Sequence, residues 1–241
     1  MFTIFKRELK SYFTQPTAYA VIVIFLFMAL FFTFSLGDFI KTGDANLEWS
    51  FFFWHPWIYM LLAPALGMRL WADELRSGTI ELLGTFPTTI WSAILGKYLA
   101  AAFVWLIALA LTFPMVKAVN ELGDPDNLTI ASGYIGSYLL CCTFLAITCL
   151  VSAFTRDQVS CLIISCSICV FLVVIGFDDV VRIFSQTFSE SVTDAIVSTS
   201  VLDHYQPLLR GAVRLQDITY FGSVIIACLL STSAILSSKR S

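Results

Sequence analysis

The sequence predicts an all-α, polytopic membrane protein with six transmembrane helices. Three observations carry this. Of 241 residues, 58% are hydrophobic and only 13% are charged. Soluble domains run at about 45–50% apolar and about 25% charged, and a soluble fold of this size has too little interior to hide the excess. Uncharged intervals recur near the roughly 20 residues that cross about 30 Å of hydrocarbon. They are Ser11–Gly37, Trp49–Met68, Tyr98–Val116, Asn127–Thr155, Gln158–Phe177 and Ile218–Ser238. The basic residues also divide unequally between alternate connections.

Taken in order, residues 2–13 read FTIFKRELKSYF. Phe2, Phe5, Leu9, Tyr12 and Phe13 recur at three-to-four spacing, so this segment is an amphipathic helix lying in the interface. Pro16 then turns the chain into the first span. Spans are expected at 18–36, 51–68, 91–116, 131–153, 159–177 and 218–237. The first is followed by Gly37-Asp38 without a small-x-small cleavage pattern, so it reads as a retained helix rather than a signal peptide. The third takes in Lys97, whose long stem is expected to snorkel to the interface. Lys117–Thr129 is expected as a loop, with a sequon at Asn127. Asp178–Asp217 is too polar to span and too apolar to be free chain. It reads as two short helices partly sunk in the outer leaflet, joined near Asp203–Pro207 and covered by protein or lining a cavity. There is no internal repeat or linker, so residues 1–241 form one domain.

With the N-terminus inside, nine basic and five acidic residues lie on the inner side, against five basic and twelve acidic on the outer side. The basic excess marks the inner side as cytoplasmic, with both termini there.

The polar island Arg69–Thr89 is the most informative segment. A simple turn needs only a handful of residues. Here Trp71-Ala-Asp-Glu-Leu-Arg-Ser-Gly-Thr-Ile-Glu-Leu-Leu reads as a short amphipathic helix. Leu75, Ile80, Leu82 and Leu83 supply its apolar side, Gly78 invites a break, and Gly84 and Pro87 stop it. The alternative is a surface helix that merely stabilises the turn. Its charges are expected to be exposed, so that reversing one would spare the fold.

No chemistry of its own is readable. His55 is expected to be interfacial and His204 to lie in a loop, and neither has a carboxylate or thiol at ligand spacing. The seven cysteines fall inside spans and read as small packing residues, Cys166-x-x-Cys169 included. No central charge points to ion coupling. No P-loop appears, since Gly96-Lys97-Tyr98 lacks both the upstream glycine and the Ser/Thr. No cofactor, metal or nucleic acid is expected, and the chain is not expected to be an enzyme. Any driving energy must arrive from a partner at the inner face.

The runs KRELKSYFTQPTAYAVI, ELRSGTIELLGTFPTTIWSAILGKYLAA and HYQPLLRGAVRLQDITYF resemble the permease subunits of type-2 ABC exporters. The likeness is greatest to the branch with the gliding-motility permease and the permease of nitrous oxide reductase maturation. The resemblance implies a transmembrane permease domain over the whole chain, placed in a bacterial inner membrane. Glu74, Arg76, Ser77, Gly78, Thr79 and Glu81 would form a coupling helix docked on a cytoplasmic ABC ATPase dimer. Lys6, Arg7 and Glu8 would lie on an elbow helix beside it. His204, Gly211 and Asp217 would belong to the outer re-entrant segment. A second permease copy or a related permease would complete the unit, with membrane lipid around it. Leu82–Pro87 departs from the Leu-rich pattern of relatives at Gly84 and Phe86, which would end the helix sooner. The alternatives are a mechanical anchor of an envelope machine, such as gliding motility, and an unpowered channel or scaffold.

The charge asymmetry predicts that a cysteine probe at Ile80, on a Cys-free background, resists an impermeant thiol reagent in intact cells and reacts after permeabilisation. Labelling in intact cells would invert the topology.

Overall fold

The computed structural model describes residues 1–37, 46–79, 89–187, 193 and 196–239. Among these the regular structure is helical throughout. Helix α1, Phe2–Thr14, is amphipathic and buries no residue fully. It lies against the third span, where Phe5 meets Phe103 edge-on at 5.9 Å. Gln15 is extended at φ −93° and ψ 147°, the conformation imposed by a following proline. Pro16 then opens α2, Pro16–Phe31, at a position where its missing N–H costs nothing. A π-helical turn, Phe32–Leu36, continues it. Ala18, Val21, Ile22, Phe25 and Ala29 form the buried stripe of α2. Val23, Phe27, Leu30 and Phe31 face outward.

The second expected span differs from its reading. A 3-10 turn at Phe52–Trp54 precedes α3, His55–Gly67, which has thirteen residues. That is about 20 Å of helix, short of the hydrocarbon thickness. Nine of the thirteen residues are buried, so this apolar run serves the protein interior more than a lipid face. After a break at Met68 comes α4, Arg69–Ser77. Gly78 ends it in the left-handed conformation at φ 70°, which glycine adopts without steric cost. The expected break at Gly78 is present, and the buried side of α4 is Leu70, Trp71, Ala72 and Leu75. Ile80, Glu81, Leu82, Leu83, Gly84 and Pro87 lie outside the described residues.

Helix α5, Ile90–Ala110, is capped by the Thr89 hydroxyl. After a short break at Leu111–Thr112 it is extended by α6, Phe113–Leu122. The expected loop is thus helical through Leu122, and the two pieces make a 33-residue apolar stretch. Helix α7, Asn127–Phe154, starts at the Asp126 cap and is the centre of the molecule, touching α3, α4, α5, α8, α10 and α11. Helix α8, Gln158–Val174, leads into α9, Asp178–Thr187. The chain bends by 77° between them. Helix α10, Val201–Leu209, is capped by Ser200. The expected joint at Asp203–Pro207 falls inside α10, with Pro207 in its last turn. Helix α11, Leu215–Ser238, ends the fold.

Four stretches are long and apolar enough to cross a membrane: Pro16–Leu36, Ile90–Leu122, Asn127–Phe154 and Leu215–Ser238. The bent pair α8–α9 makes a fifth if it is one span. The molecule is an all-α polytopic membrane protein with one bent pair that is either a broken span or a re-entrant loop, and α3 alone does not reach spanning length.

Small residues on α7 let its neighbours approach. A Cβ on Gly136 would sit 2.9 Å from Leu208 Cβ on α10. Gly136→Leu is expected to cost about 1–3 kcal/mol by overpacking and to lower the thermal unfolding midpoint in detergent. Gly222→Leu, where a Cβ meets nothing within 4 Å, is expected to leave it unchanged.

Candidate functional site: a charged junction of three helices

Lys97 lies in the second turn of α5, and its side chain is 6% exposed. It does not snorkel. Its Nζ sits 2.9 Å from Glu74 Oε1 on α4 and 3.8 Å from Glu8 Oε1 on α1. The Trp71 ring lies 5.1 Å from the same ammonium. One cation therefore holds three helices, and it is desolvated against two carboxylates and an aromatic face. Such a charge is tolerated in an apolar span only when paired.

The elements place these groups by simple periodicity. Trp71 and Glu74 are three apart on α4 and share a face. Leu70, Trp71 and Leu75 bury that helix, which brings Glu74 over α5. On α1, Phe5, Glu8 and Tyr12 follow the same spacing. The Tyr12 hydroxyl reaches the Leu66 carbonyl at 3.5 Å. Burial, with Glu8 beside it, pushes that phenol well above its ordinary range.

A second polar tie runs alongside. Arg69 donates to Gln15 Oε1 at 2.9 Å and to Gln158 Oε1 at 3.3 Å. The Gln158 amide in turn donates to Asp73. So α4 is joined to the α1–α2 corner and to the start of α8. Asp157 caps α8, accepting from the Ser160 N–H at 2.9 Å and its hydroxyl at 3.0 Å. These bonds hold its carboxyl below the usual carboxylate range. A polar cavity of about 160 Å³ lies between α1 and α4, bordered by Glu8, Tyr12, Gln15, Arg69, Asp73 and Glu74.

The sequence reading makes Glu74 an exposed coupling group and Glu8 a residue of the elbow helix beside it; in the structure both carboxylates engage Lys97. Arg76, Ser77, Gly78 and Thr79 do form an exposed tip. There the Ser77 hydroxyl donates to the Asp73 carbonyl at 2.8 Å and pairs with the Thr79 hydroxyl at 2.9 Å. Lys6 and Arg7 are exposed on α1, Lys6 over the Phe2 ring and Arg7 2.9 Å from Glu8. The sequence reading missed Lys97 as a member of the site, along with Gln15 and Gln158. A lysine set inside a run of apolar residues was the available signal, since a charge there demands a partner.

The opposite end of the bundle carries a smaller knot. His204 Nδ1 lies 2.9 Å from Asp217 Oδ1, and its ring stacks on Tyr220 at 4.0 Å. Arg214 Nε stands 3.4 Å from the other Asp217 oxygen, and the Asp217 side chain is 1% exposed. His204 is thus a helical residue with a carboxylate partner rather than a loop histidine. Gly211 follows α10 with φ 78°. His55 is not interfacial either. It is fully buried, with Nδ1 2.6 Å from the Ser137 hydroxyl, which also meets the Tyr59 hydroxyl at 2.8 Å. Each histidine has its own partners, and no group of three metal-ligating side chains converges among the described residues.

The helical bundle defines a class: a multi-pass, membrane-embedded protein. Over residues 2–237 the chain matches the ABC-2 family transporter proteins, and it belongs to that family. Members of the family are permease subunits without catalysis of their own. No curated protein matches the chain.

Lys97→Met is expected to strand Glu74 beside an apolar neighbour and to destabilise the protein by about 3 kcal/mol. That is the low end for breaking a buried pair, since Glu74 keeps some solvent contact. The Lys97→Met/Glu74→Gln pair is expected to recover most of the loss, read as the thermal midpoint in detergent. Additive losses would show that the pair is not coupled.

Proposed function

We propose that this chain is the transmembrane permease subunit of an ABC exporter, driven by a separate cytoplasmic ATPase dimer that docks on the face bearing α1 and α4. The observation that supports this most is the bracing of α4. Lys97 and Arg69 tie that helix to α1, α5 and α8, while its tip, Arg76–Thr79, stands free of the body. A helix held at its base and exposed at its tip passes a push from a partner into the spans instead of absorbing it.

On this reading the roles divide. Arg76, Ser77, Gly78, Thr79 and Glu81 contact the ATPase. Glu74 and Glu8 fix the angle of the helices behind that contact, with Lys6 and Arg7 flanking it. His204, Gly211 and Asp217 hold the outer end closed. A second copy or a related permease supplies the other half of the pathway, with six spans per chain and both termini cytoplasmic in a bacterial inner membrane. The motif resemblance supports, as part of this reading, kinship with the gliding-motility and nitrous-oxide-reductase-maturation branch. ATP binding brings the ATPases together, the α4 tips follow, and the permease interface opens outward.

The test is co-purification with the co-expressed ATPase subunit, together with permease-stimulated ATP turnover. Like charge placed at a docked interface costs several kcal/mol. Arg76→Glu reverses a charge there and Ser77→Arg adds bulk to the packed contact; each is therefore expected to weaken association about 100-fold and to abolish stimulation, with unchanged thermal midpoints of the permease alone. Glu74→Lys is expected to fail differently, by lowering the midpoint itself, because it sets a second cation against Lys97. Wild-type association and stimulation in both tip variants would remove the coupling role from α4.

A further inference from the structure

A groove of about 820 Å³ runs along one side of the bundle between α5–α6 and α7. The volume falls within the roughly 300–1,000 Å³ typical of small-molecule sites. On α7 it extends from Asn127 to Leu139, which at 1.5 Å per residue is about 18 Å. That is close to one leaflet of a bilayer whose hydrocarbon is about 30 Å thick. Ala110 and Ala131 line it, and the absence of larger side chains there leaves the space between the helices.

The polarity of the groove is one-sided. Its deep end is lined by Leu106, Ile135 and Leu139 among others, and the Tyr134 and Tyr138 hydroxyls there are engaged by Thr112 and the Ala102 carbonyl. Lys117, Asn120 and Asn127 sit together at the other end. The two asparagine amides satisfy each other through paired 3.1 Å bonds and clamp α6 to α7. Lys117 is exposed and forms no ion pair among the described residues. Beyond it the connection carries Glu121, Asp124 and Asp126. A convex apolar face in a membrane only slides past lipid. A concave one of leaflet length, with a cation at headgroup depth and carboxylates further out, matches a whole lipid in order: acyl chain, phosphate, amine.

We propose that this groove binds one phospholipid of the leaflet opposite the α1–α4 face. Its acyl chain lies between α5–α6 and α7, its phosphate meets Lys117, and its amine-bearing headgroup faces the acidic turn. The site needs only that the chain is embedded in a membrane and does not depend on the ATPase reading.

Two measurements on the permease alone test it. Ile135→benzoylphenylalanine, irradiated in native membranes, is expected to give a protein adduct of phospholipid mass. A cross-link to a second copy of the chain would instead make the groove a subunit interface and overturn the proposal. In native mass spectrometry after detergent exchange, wild-type protein is expected to keep one phosphatidylethanolamine per chain in preference to phosphatidylglycerol. Ala110→Phe and Ala131→Phe fill the groove and are expected to reduce that retention about tenfold. Lys117→Glu, at an exposed position that folding does not need, is expected to reduce it similarly and decides the matter if the filled variants do not fold. No retained lipid in wild type, equal retention in the variants, or a preference for phosphatidylglycerol would overturn the assignment.

Discussion

Lys97 places a full positive charge in a helix that is otherwise soluble in lipid, and the arrangement of one whole face follows from where that charge is neutralised. Desolvating an ammonium costs several kcal/mol even after relaxation. The cost is offset only if carboxylates come to it, because its own backbone is fixed in α5. Glu74 comes from α4 and Glu8 from α1, and the Trp71 ring covers what remains. The three helices are therefore not free to choose their angles separately. Arg69, through Gln15 and Gln158, extends the same constraint to the start of α8.

The interior obeys a different rule. Apolar packing against lipid gains little over apolar packing against protein, so helices in a membrane associate through close contact and satisfied polar groups. Helix α7 shows both. Gly133 and Gly136 admit Phe52 and Leu208. Thr143, Thr148 and Ser152 return their hydroxyls to carbonyls of their own helix at 2.8–2.9 Å, which lets polar side chains sit at full burial. The peripheral α2 and α8 instead expose Phe27, Ile163 and Phe171, as a lipid face requires.

The positions of most spans were legible in the sequence because a bilayer excludes charge over a fixed length, and α2, α7, α8 and α11 begin and end within a few residues of where charge spacing puts them. The second span was not. Trp49–Met68 is uncharged, yet α3 begins only at His55, since Phe51 and Phe52 turn inward against His55 and Tyr134. Hydropathy cannot distinguish apolar residues that face lipid from those that face protein. The helices between α8 and α11 were legible in kind but not in boundary, because Pro207, a breaker by propensity, sits inside α10 and forgoes one backbone hydrogen bond rather than ending the helix. At the junction, the exposed tip of α4 was readable from its charge and its glycine, whereas the inward turn of Glu74 was not. That turn is decided by Lys97, twenty-three residues further along, and no local pattern connects the two.

The two ends of α7 show what such a bundle can transmit. Near its start, Ser132 donates to the Leu208 carbonyl of α10 at 2.7 Å, and α10 is tied through His204 to Asp217 at the start of α11. Near its end, Lys239 donates to the Ala153 carbonyl at 2.8 Å, so the far end of α11 is fixed to the same helix. The twenty-one residues between Ser132 and Ala153 span about 30 Å, the thickness of the hydrocarbon. Helices α7 and α11 are thus pinned to each other on both sides of that thickness, while α4 packs on α7 from the face where Lys97 sits. A displacement of α4 cannot be taken up by sliding between α7 and α11 without breaking a polar contact at one end. Moved as a pair, they carry α10 with them through Ser132 and His204, which is the coupling that the proposed function requires.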